Sequence, residues 1–229
     1  MADKQKLTGI KACVFDAYGT LFDVHSAVGV HRAALGDKAD AVSVTWRDKQ
    51  LQYTWLRSLM GAHQEFWSVT GDALDYALDA HGVADAALRQ ALMQAYLELK
   101  PYSEVADALR GLKERGFKLA ILSNGSPKML AAAVDNAGLS ALFDAVLSVE
   151  AVGIYKPDRR VYQLACDRFA VATNEITFLS SNAWYVRGAA NFGFQVVWIN
   201  RFSQPADRLP GEPKGMIERL DQLAPLLGI

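Results

Sequence analysis

The 229-residue sequence has little cysteine, almost no net charge and no long apolar run. Its two cysteines, Cys13 and Cys166, belong to no CxxC pair and lie in apolar stretches, which predicts buried free thiols rather than a disulfide. The formal net charge is -1, so bulk electrostatics recruit neither nucleic acid nor an anionic membrane as a partner. No apolar run approaches the roughly 20 residues that a membrane-spanning helix needs.

The N-terminal residues show no export signal. Residues 1–9 are polar and lack the apolar segment and small-residue cleavage site of a secretory signal, so a cytoplasmic location is expected.

One long stretch of the sequence has no acidic residues. Between Glu175 and Asp207 there is no aspartate or glutamate. Because Mg²⁺ is a hard cation that prefers oxygen anions, this stretch offers few suitable ligands for it.

Short apolar runs alternate with helical patterns, in a chain long enough for one large domain or for a core with an insert. Apolar runs that stop at polar or glycine-rich turns predict strands over residues 10–15, 118–122, 145–149, 176–179 and 195–199. Apolar spacing and capping signals predict helices over 102–115, 126–138, 158–169 and 185–192, with a last helix near 216–227. This alternation indicates an α/β fold, with a parallel sheet and helices on both faces.

The stretch between the first two predicted strands is about a hundred residues long, whereas a simple crossover needs only about a dozen. Its apolar spacing predicts helices over 41–60, 66–78 and 84–99, and it contains no alternating pattern of strand type. We therefore predict a core formed by residues 1–22 and 99–229, and a helical cap, residues 23–98, inserted over the edge of the sheet.

Four of the predicted strands lead into polar residues at the point where they end. These residues are Asp16, Ser123 with Asn124, Lys156 in the loop after the third strand, and Ser180 with Asn182. Each alone is more often structural, since serine and asparagine after a strand are common turn formers. In a parallel sheet, however, all these ends lie on the edge where ligands bind. Together they predict an active site in which Asp16 is a nucleophile.

The segments Asp16–Thr20, Ser123–Gly125, Lys156–Asp158 and Ser180–Asn182, in this order, resemble the motifs of the haloacid dehalogenase superfamily. The closer resemblance is to the type II L-2-haloacid dehalogenases, and it extends through Trp46-Arg47 to nearly the whole chain. It implies a Rossmann-like parallel sheet core with an inserted α-helical cap, and a hydrolase of carbon–halide bonds. It also implies a homodimer, a small 2-haloacid as substrate, and no metal or cofactor.

The resemblance implies a two-step reaction. The Asp16 carboxylate attacks C2 of an L-2-haloalkanoate, halide leaves with inversion, and water then hydrolyses the aspartyl ester to a D-2-hydroxy acid. Lys156 keeps Asp16 ionised and oriented, because a nearby cation favours the charged form. Arg47 receives the halide; in a helix, such an arginine is otherwise more often solvated or ion-paired at the surface.

Further roles follow from the same resemblance. Asn182 is a second halide contact, Ser123 and the Asn124 region bind the substrate carboxylate, and Thr20 and Ser180 order Asp16 and Lys156. An apolar wall around the substrate alkyl group is formed by Tyr18, Leu51, Phe66 and Trp184. For Leu51 and Phe66, plain core packing is an equal alternative, and Tyr162 either reaches the site or lies only in its own helix.

Tyr185 departs from the family pattern, because close relatives resemble Ser-Ser-Asn-Ala-Trp-Asp and the last position here is tyrosine. In the family that carboxylate interacts with the lysine and helps to activate the hydrolytic water. A phenol with an ordinary pKa near 10 is a poor base at neutral pH. We therefore expect Asp16 to be alkylated while hydrolysis of the ester is slow.

Two other functions compete with this interpretation. A Mg²⁺-dependent phosphatase of the same superfamily needs a second acid where this chain has Tyr18, and an acidic pair in the stretch that lacks acids. A catalytically silent binding protein that keeps the pocket is the other alternative, and Tyr185 is the feature that favours it.

Overall fold

The computed structural model describes residues 6–229, so the beginning of the N-terminal stretch that we predict to lack a secretory signal lies outside the described residues. Six strands form one parallel sheet in the order β3-β2-β1-β4-β5-β6. The strands are β1 (Ala12–Phe15), β2 (Lys118–Ser123), β3 (Ala145–Ser148), β4 (Ile176–Ser180), β5 (Gln195–Ile199) and β6 (Gly215–Ile217). The predicted α/β fold is confirmed.

The central strand β1 is fully buried and pairs with β2 on one side and β4 on the other. Phe15 lies opposite Ile121 and Leu179 in the two ladders. Because all pairs are parallel, the residues that follow β1, β2 and β4 reach the same edge of the sheet. The sequence predicts this alignment, and the register provides it.

Of the six α-helices between β1 and β2, the first five lie in the region predicted as the cap, and no strand interrupts them among the described residues. They are α1 (Ser26–Val30), α2 (Arg32–Leu35), α3 (Ala39–Leu59), α4 (Phe66–Ala80) and α5 (Ala86–Leu97). The long helix α3 buries one stripe, which includes Val42, Trp46 and Leu51, and packs mainly against α4. The short helices α1 and α2 were not predicted, because segments of four or five residues show no clear period.

The remaining helices flank the sheet. They are α6 (Val105–Glu114), α7 (Pro127–Asn136), α8 (Arg159–Phe169), α9 (Ala183–Phe192) and α10 (Ala224–Leu227). Both cysteines are free and buried, as predicted. In the part of the chain that the structure describes, no helix is both long and apolar enough to cross a membrane.

The helix predicted near 216–227 is wrong over its first half. Residues Gly215–Ile217 instead form strand β6, and only a 3₁₀ turn and the four-residue α10 follow. Met216 is exposed and Ile217 is buried, which is the alternation of a strand, and Asn200 N–H donates to the Ile217 carbonyl at 2.7 Å. Pairing with β5 satisfies this backbone, and a three-residue segment carries too little periodicity to predict it.

Candidate active site

Asp16 is the first residue after β1, and its N–H continues the ladder to the Leu179 carbonyl at 2.9 Å. The side chain is buried, and each carboxylate oxygen has a donor. Oδ1 accepts from Lys156 Nζ at 2.6 Å and from the Ala17 N–H at 2.9 Å, and Oδ2 accepts from Ser180 Oγ at 3.0 Å. The carboxylate is therefore oriented at the carboxyl edge of the sheet.

Lys156 has no exposed surface and is held at three points. Besides Asp16, its Nζ donates to the Leu122 carbonyl at 2.9 Å, and its backbone N–H donates to Asn124 Oδ1 at 3.0 Å. Burial lowers the pKa of Lys156, and the charge and hydrogen bond of Asp16 act in the opposite direction without cancelling that shift. Asp16 is thus the anion that keeps this ammonium charged.

The ring of Tyr185 covers the same ammonium. Lys156 Nζ lies 4.6 Å from the Tyr185 ring centroid and 5.6 Å from that of Phe178, and such contacts contribute roughly 0.5–2 kcal/mol each. The Tyr185 hydroxyl accepts from Asn124 Nδ2 at 2.9 Å. Burial raises the pKa of Tyr185 above its ordinary value of 10, so the phenol is neutral at physiological pH.

The loop after β4 is ordered by side chains from both sides. Ser180 Oγ accepts from the Asn182 N–H at 3.0 Å, and the Ser181 N–H donates to Thr20 Oγ1 at 2.8 Å. Asn182 caps helix α9, since its Oδ1 accepts from the N–H groups of Trp184 at 3.0 Å and Tyr185 at 3.2 Å. The side-chain oxygen of Asn182 is therefore occupied by the helix cap, and its side-chain nitrogen Nδ2 can make other contacts.

The turn after β2 is tightly packed against the loop after β1. Ser123 Oγ is buried and accepts from the Gly125 N–H at 3.1 Å. A Cβ at Gly125 would lie 2.6 Å from Tyr18 Cε2 and 3.1 Å from the Tyr18 hydroxyl, so a larger residue there would displace the ring. Glycine is required at this position by the close approach of Tyr18.

Helix α3 brings Arg47 to the loop after β1. Arg47 Nη2 donates to the Tyr18 carbonyl at 3.3 Å, and Nη1 donates to Gln50 Oε1 at 2.7 Å. The buried Gln50 also accepts from the Tyr96 hydroxyl at 3.1 Å. Gln50 and Tyr96 were not predicted to belong to the site. The position of Gln50 three residues after Arg47, on the same helix face, is the signal that could have indicated it.

The predicted wall residues have different environments. Tyr18 stacks on Tyr96 at 5.5 Å between ring centroids and lies 5.8 Å from Phe66, while Leu51 and Phe66 are both buried. Burial raises the pKa of Tyr18 well above 10, and its hydroxyl has no hydrogen-bond partner within residues 6–229. Trp184 is 37% exposed and meets Trp55 edge to face at 4.6 Å.

Tyr162 lies behind Tyr185 in the core. Its hydroxyl donates to the Tyr185 carbonyl at 2.9 Å, and its ring packs against Phe178 at 5.8 Å and Phe194 at 5.9 Å. These contacts hold the start of helix α9, so Tyr162 supports Tyr185 through the backbone.

A cavity of about 760 Å³ opens beside this cluster, between helix α3 and the segment around Lys156. Its walls include Trp55, Leu59, Pro157 and Trp184. Its size is that of a small-molecule site, and Lys156 is one of the lining residues. Within the described range 6–229, no group of three or more His, Cys, Asp or Glu side chains is arranged to hold a metal ion.

Comparison with known proteins adds three kinds of match. A family model described as haloacid dehalogenase-like hydrolase matches residues 10–193. The chain is 46% identical to (S)-2-haloacid dehalogenase 4A of Burkholderia cepacia over 219 residues, which is 95% of each protein. It is 52% identical to the (S)-2-haloacid dehalogenase of Pseudomonas sp. (strain YL) over 193 residues, which is 84% of this chain and 83% of that protein.

A solved structure with a ligand is also similar. It is the L-2-haloacid dehalogenase from Xanthobacter autotrophicus with chloropropionic acid covalently bound, at 39% identity and a TM-score of 0.90. The match covers 96% of this chain and 98% of that chain. The similarity therefore extends over both the sheet and the helical insert.

Proposed function

The chain belongs to the haloacid dehalogenase-like hydrolase family, and on that premise we propose that it hydrolyses L-2-haloalkanoic acids to D-2-hydroxy acids. The observation that carries the proposal is the buried Asp16 carboxylate, which Lys156 and Ser180 orient at the sheet edge. The covalently bound chloropropionic acid in the similar Xanthobacter enzyme supports a covalent route.

In the first step, Asp16 attacks C2 of the substrate from the side opposite the halogen. The C–halogen bond breaks with its electron pair on the halide, C2 is inverted, and an ester forms on Asp16. Lys156, whose Nζ lies 2.6 Å from Asp16 Oδ1, keeps the carboxylate ionised and oriented toward C2. Ser180, itself tied to the Asn182 N–H, fixes the other oxygen.

Substrate contacts are assigned to the surrounding polar groups. Arg47 and the amide nitrogen of Asn182 receive the leaving halide, since both are donors beside the loop that carries Asp16. Ser123 and the backbone N–H groups from Asn124 onward bind the substrate carboxylate. The rings of Tyr18, Phe66 and Trp184, together with Leu51, surround the alkyl group, while Thr20 orders the loop after β4. Tyr162 acts only through the backbone of Tyr185.

In the second step, water attacks the ester carbonyl and releases the hydroxy acid. We propose that Tyr185 makes this step slow, because a neutral phenol whose pKa is raised by burial is a poor base for activating water. Its ring also fills space beside Lys156 that a smaller carboxylate would leave open.

The remaining features of the proposal concern the whole chain. Residues 1–22 and 99–229 form the catalytic core, and residues 23–98 form a cap that contributes Arg47, Leu51 and Phe66. The protein acts in the cytoplasm as a homodimer, without a metal or another cofactor. Its reaction needs none, because halide is a stable leaving anion that a carboxylate can displace from carbon without a Lewis acid.

The test measures chloride and intact protein mass after L-2-chloropropionate is added to the wild type and to Asp16→Asn. We expect at least one chloride per chain from the wild type and none from the variant. Absence of chloride in both proteins would favour the silent binding protein, and hydrolysis of a phosphate ester that EDTA abolishes would favour the Mg²⁺-dependent phosphatase.

A further inference from the structure

The ion pair at the centre of the site also holds an amine next to a carboxyl group. Lys156 Nζ and Asp16 Oδ1 are 2.6 Å apart, and their side chains are 0% and 4% exposed. Lys156 is fixed from both ends, through its backbone N–H to Asn124 and through Nζ to the Leu122 carbonyl. Because the carboxyl carbon is one bond beyond Oδ1, an amine held here has a large effective concentration toward that carbon.

Only the negative charge of Asp16 protects this pair from reacting. Carboxylates do not accept amine attack, but an ester does, and the proposed first step converts Asp16 into an ester. The same step removes the anion beside Lys156. Among residues 6–229 the other buried acid is Glu104, and it is committed to Arg201 at 2.7 Å.

The loss of that anion favours the neutral, nucleophilic amine. Burial lowers the pKa of Lys156 and the Asp16 charge counteracts this, so esterification removes that counteracting charge. The substrate keeps its own carboxylate, but Ser123 and the N–H groups from Asn124 onward bind it in the proposed function. The rings of Tyr185 and Phe178 still favour the cation, but a cation–π contact does not replace an ion pair. Arg47 is the other charge that acts on Lys156, and it too disfavours the ammonium.

We propose that Lys156 attacks the Asp16 ester and forms an isopeptide bond between the two side chains, which ends activity after one substrate molecule. This inference rests on the proposed function, because the ester must form first. It makes the Asp16–Lys156 pair a site of self-modification in this chain, with the 2-haloacid as the activating reagent.

The step balances without any further reagent. Before attack, the Lys156 ammonium gives one proton to solvent. The amine nitrogen then bonds to the ester carbonyl carbon, the bond from that carbon to the alkoxide oxygen breaks, and a second amine proton passes to the alkoxide. The products are an amide that keeps the third proton and one D-2-hydroxy acid. Relative to the starting protein, the chain has lost the elements of one water.

Tyr185 is the residue that lets this reaction compete with hydrolysis. A carboxylate at that position would supply both a counter-ion for Lys156 and a base for water, whereas the buried phenol supplies neither. The variant Tyr185→Asp is therefore expected to restore hydrolysis. Tyr185→Phe is the matched control, because it keeps the ring over Lys156 and removes only the hydroxyl that Asn124 binds.

The experiment incubates each protein with L-2-chloropropionate and records chloride, intact mass and the peptides of a protease digest. For the wild type and for Tyr185→Phe we expect one chloride per chain, a mass lower by one water, and a peptide that joins Asp16 to Lys156. For Tyr185→Asp we expect repeated chloride release, with the cross-linked fraction reduced by about tenfold or more.

Each other result has a distinct meaning. A lasting mass gain equal to lactic acid less one water would support the ester and overturn the cross-link. Unmodified wild-type protein with repeated chloride release would overturn the cross-link as well and leave the dehalogenase function intact. If the wild type releases no chloride, the proposed function itself fails. Should Tyr185→Asp not fold, the wild type and Tyr185→Phe still decide between these outcomes.

Discussion

At the residue scale, the burial of the Asp16–Lys156 pair costs free energy that its hydrogen bonds have to offset. Removing two charges from water costs several kcal/mol per ion, which the pair regains only if hydrogen bonds satisfy both partners. Here Ser180, the Ala17 N–H and the Leu122 carbonyl complete those bonds. Such a pair is tolerated while both members are present, but removal of one member leaves a buried, unpaired charge that destabilises the fold.

The variant Lys156→Met tests this dependence. Because Asp16 would keep its burial and lose its cation, we expect the free energy of unfolding to fall by about 3–5 kcal/mol and alkylation by L-2-chloropropionate to stop. Urea denaturation and intact mass measure the two effects. Lys128→Met, at an exposed position of helix α7, is the control and should change stability by less than about 0.5 kcal/mol. Equal stability of the two variants would contradict the prediction.

At the element scale, the segment that precedes Lys156 is fastened to the loop between α3 and α4. The Tyr155 hydroxyl donates to the Gln64 carbonyl, and its backbone N–H donates to Ser58 Oγ at 3.2 Å. Glu150 accepts from the Phe66 N–H at 3.3 Å and pairs with His63 at 2.9 Å. The helical insert is therefore attached to the sheet domain next to Lys156.

The variant Tyr155→Phe removes the hydrogen bond to the Gln64 carbonyl and keeps the buried ring. It should weaken the contact between insert and sheet without creating a cavity in the core. Loss of the hydroxyl's hydrogen bond is expected to lower the free energy of unfolding by about 1 kcal/mol. Because Phe66 and Arg47 belong to the insert, the apparent affinity for the substrate should fall more than the rate of alkylation at saturation. Tyr76→Phe, at an exposed ring on α4, is the control for both measurements. A fall only in the saturated rate would contradict a positioning role.

A second attachment joins the start of α6 to the end of β5. Glu104 and Arg201 are 2.7 Å apart with side chains only 4% and 7% exposed, and Arg201 also donates to the Thr20 carbonyl at 2.8 Å. Burial alone raises the pKa of Glu104, but its hydrogen bonds and the Arg201 charge outweigh this and bring the pKa below 4.5. The ionised Glu104 thus stabilises the fold above pH 4.5, and this contribution is lost as the pH falls through the lowered pKa.

The variant Glu104→Gln tests that pH dependence, because its stability can be compared with that of the wild type at each pH. At neutral pH we expect the variant to be about 3–5 kcal/mol less stable, because Arg201 remains buried without its anion. The difference in the free energy of unfolding between variant and wild type should become smaller as the pH falls below 4.5, because Glu104 of the wild type is then protonated. Urea unfolding across this range is the measurement, with Glu114→Gln on the exposed side of α6 as control. A gap that stays constant with pH would refute the assignment.

At the scale of the whole molecule, the end of helix α3 exposes apolar side chains that the single chain does not cover. Leu56 is 49% exposed, Leu59 is 84% exposed and Met60 is 69% exposed. Contiguous exposed apolar residues are a mark of protein–protein contact. They are the surface on which we expect the proposed homodimer to form.

The variant Leu59→Glu places a charge in that surface and is expected to yield monomers. Light scattering coupled to size exclusion should give twice the chain mass for the wild type and the chain mass for the variant. Because burial of an unpaired charge at an interface costs several kcal/mol, an association constant lower by at least about a hundredfold is expected. Leu209→Glu, at an exposed leucine in the loop after β5, is the control and should not change the mass.

Much of the fold was predictable because it depends on local patterns. The long helix α3 shows an apolar period over its 21 residues, and strand β2 is a short apolar run that stops at a polar turn. Strand β6 and helices α1 and α2 were missed, because three to five residues carry no clear period. The backbone of β6 is moreover satisfied by pairing with β5, which no local pattern shows. Tyr155 was missed because its role depends on a contact with the insert, at the Gln64 carbonyl, that no local pattern shows. Gln50 was missed because its partners include Tyr96, which is 46 positions away on another helix.

By itself, the sequence determined that this chain alternates strands and helices and ends its first strand on a carboxylate, because both are properties of neighbouring residues. The tertiary structure decided that Lys156, which is 140 positions away, donates to Asp16, and that the Tyr185 ring lies over that ammonium. Crossovers and side-chain packing fix these distances, and no local preference encodes them. The geometry of the pair, and with it the fate proposed for the ester, therefore belongs to the fold.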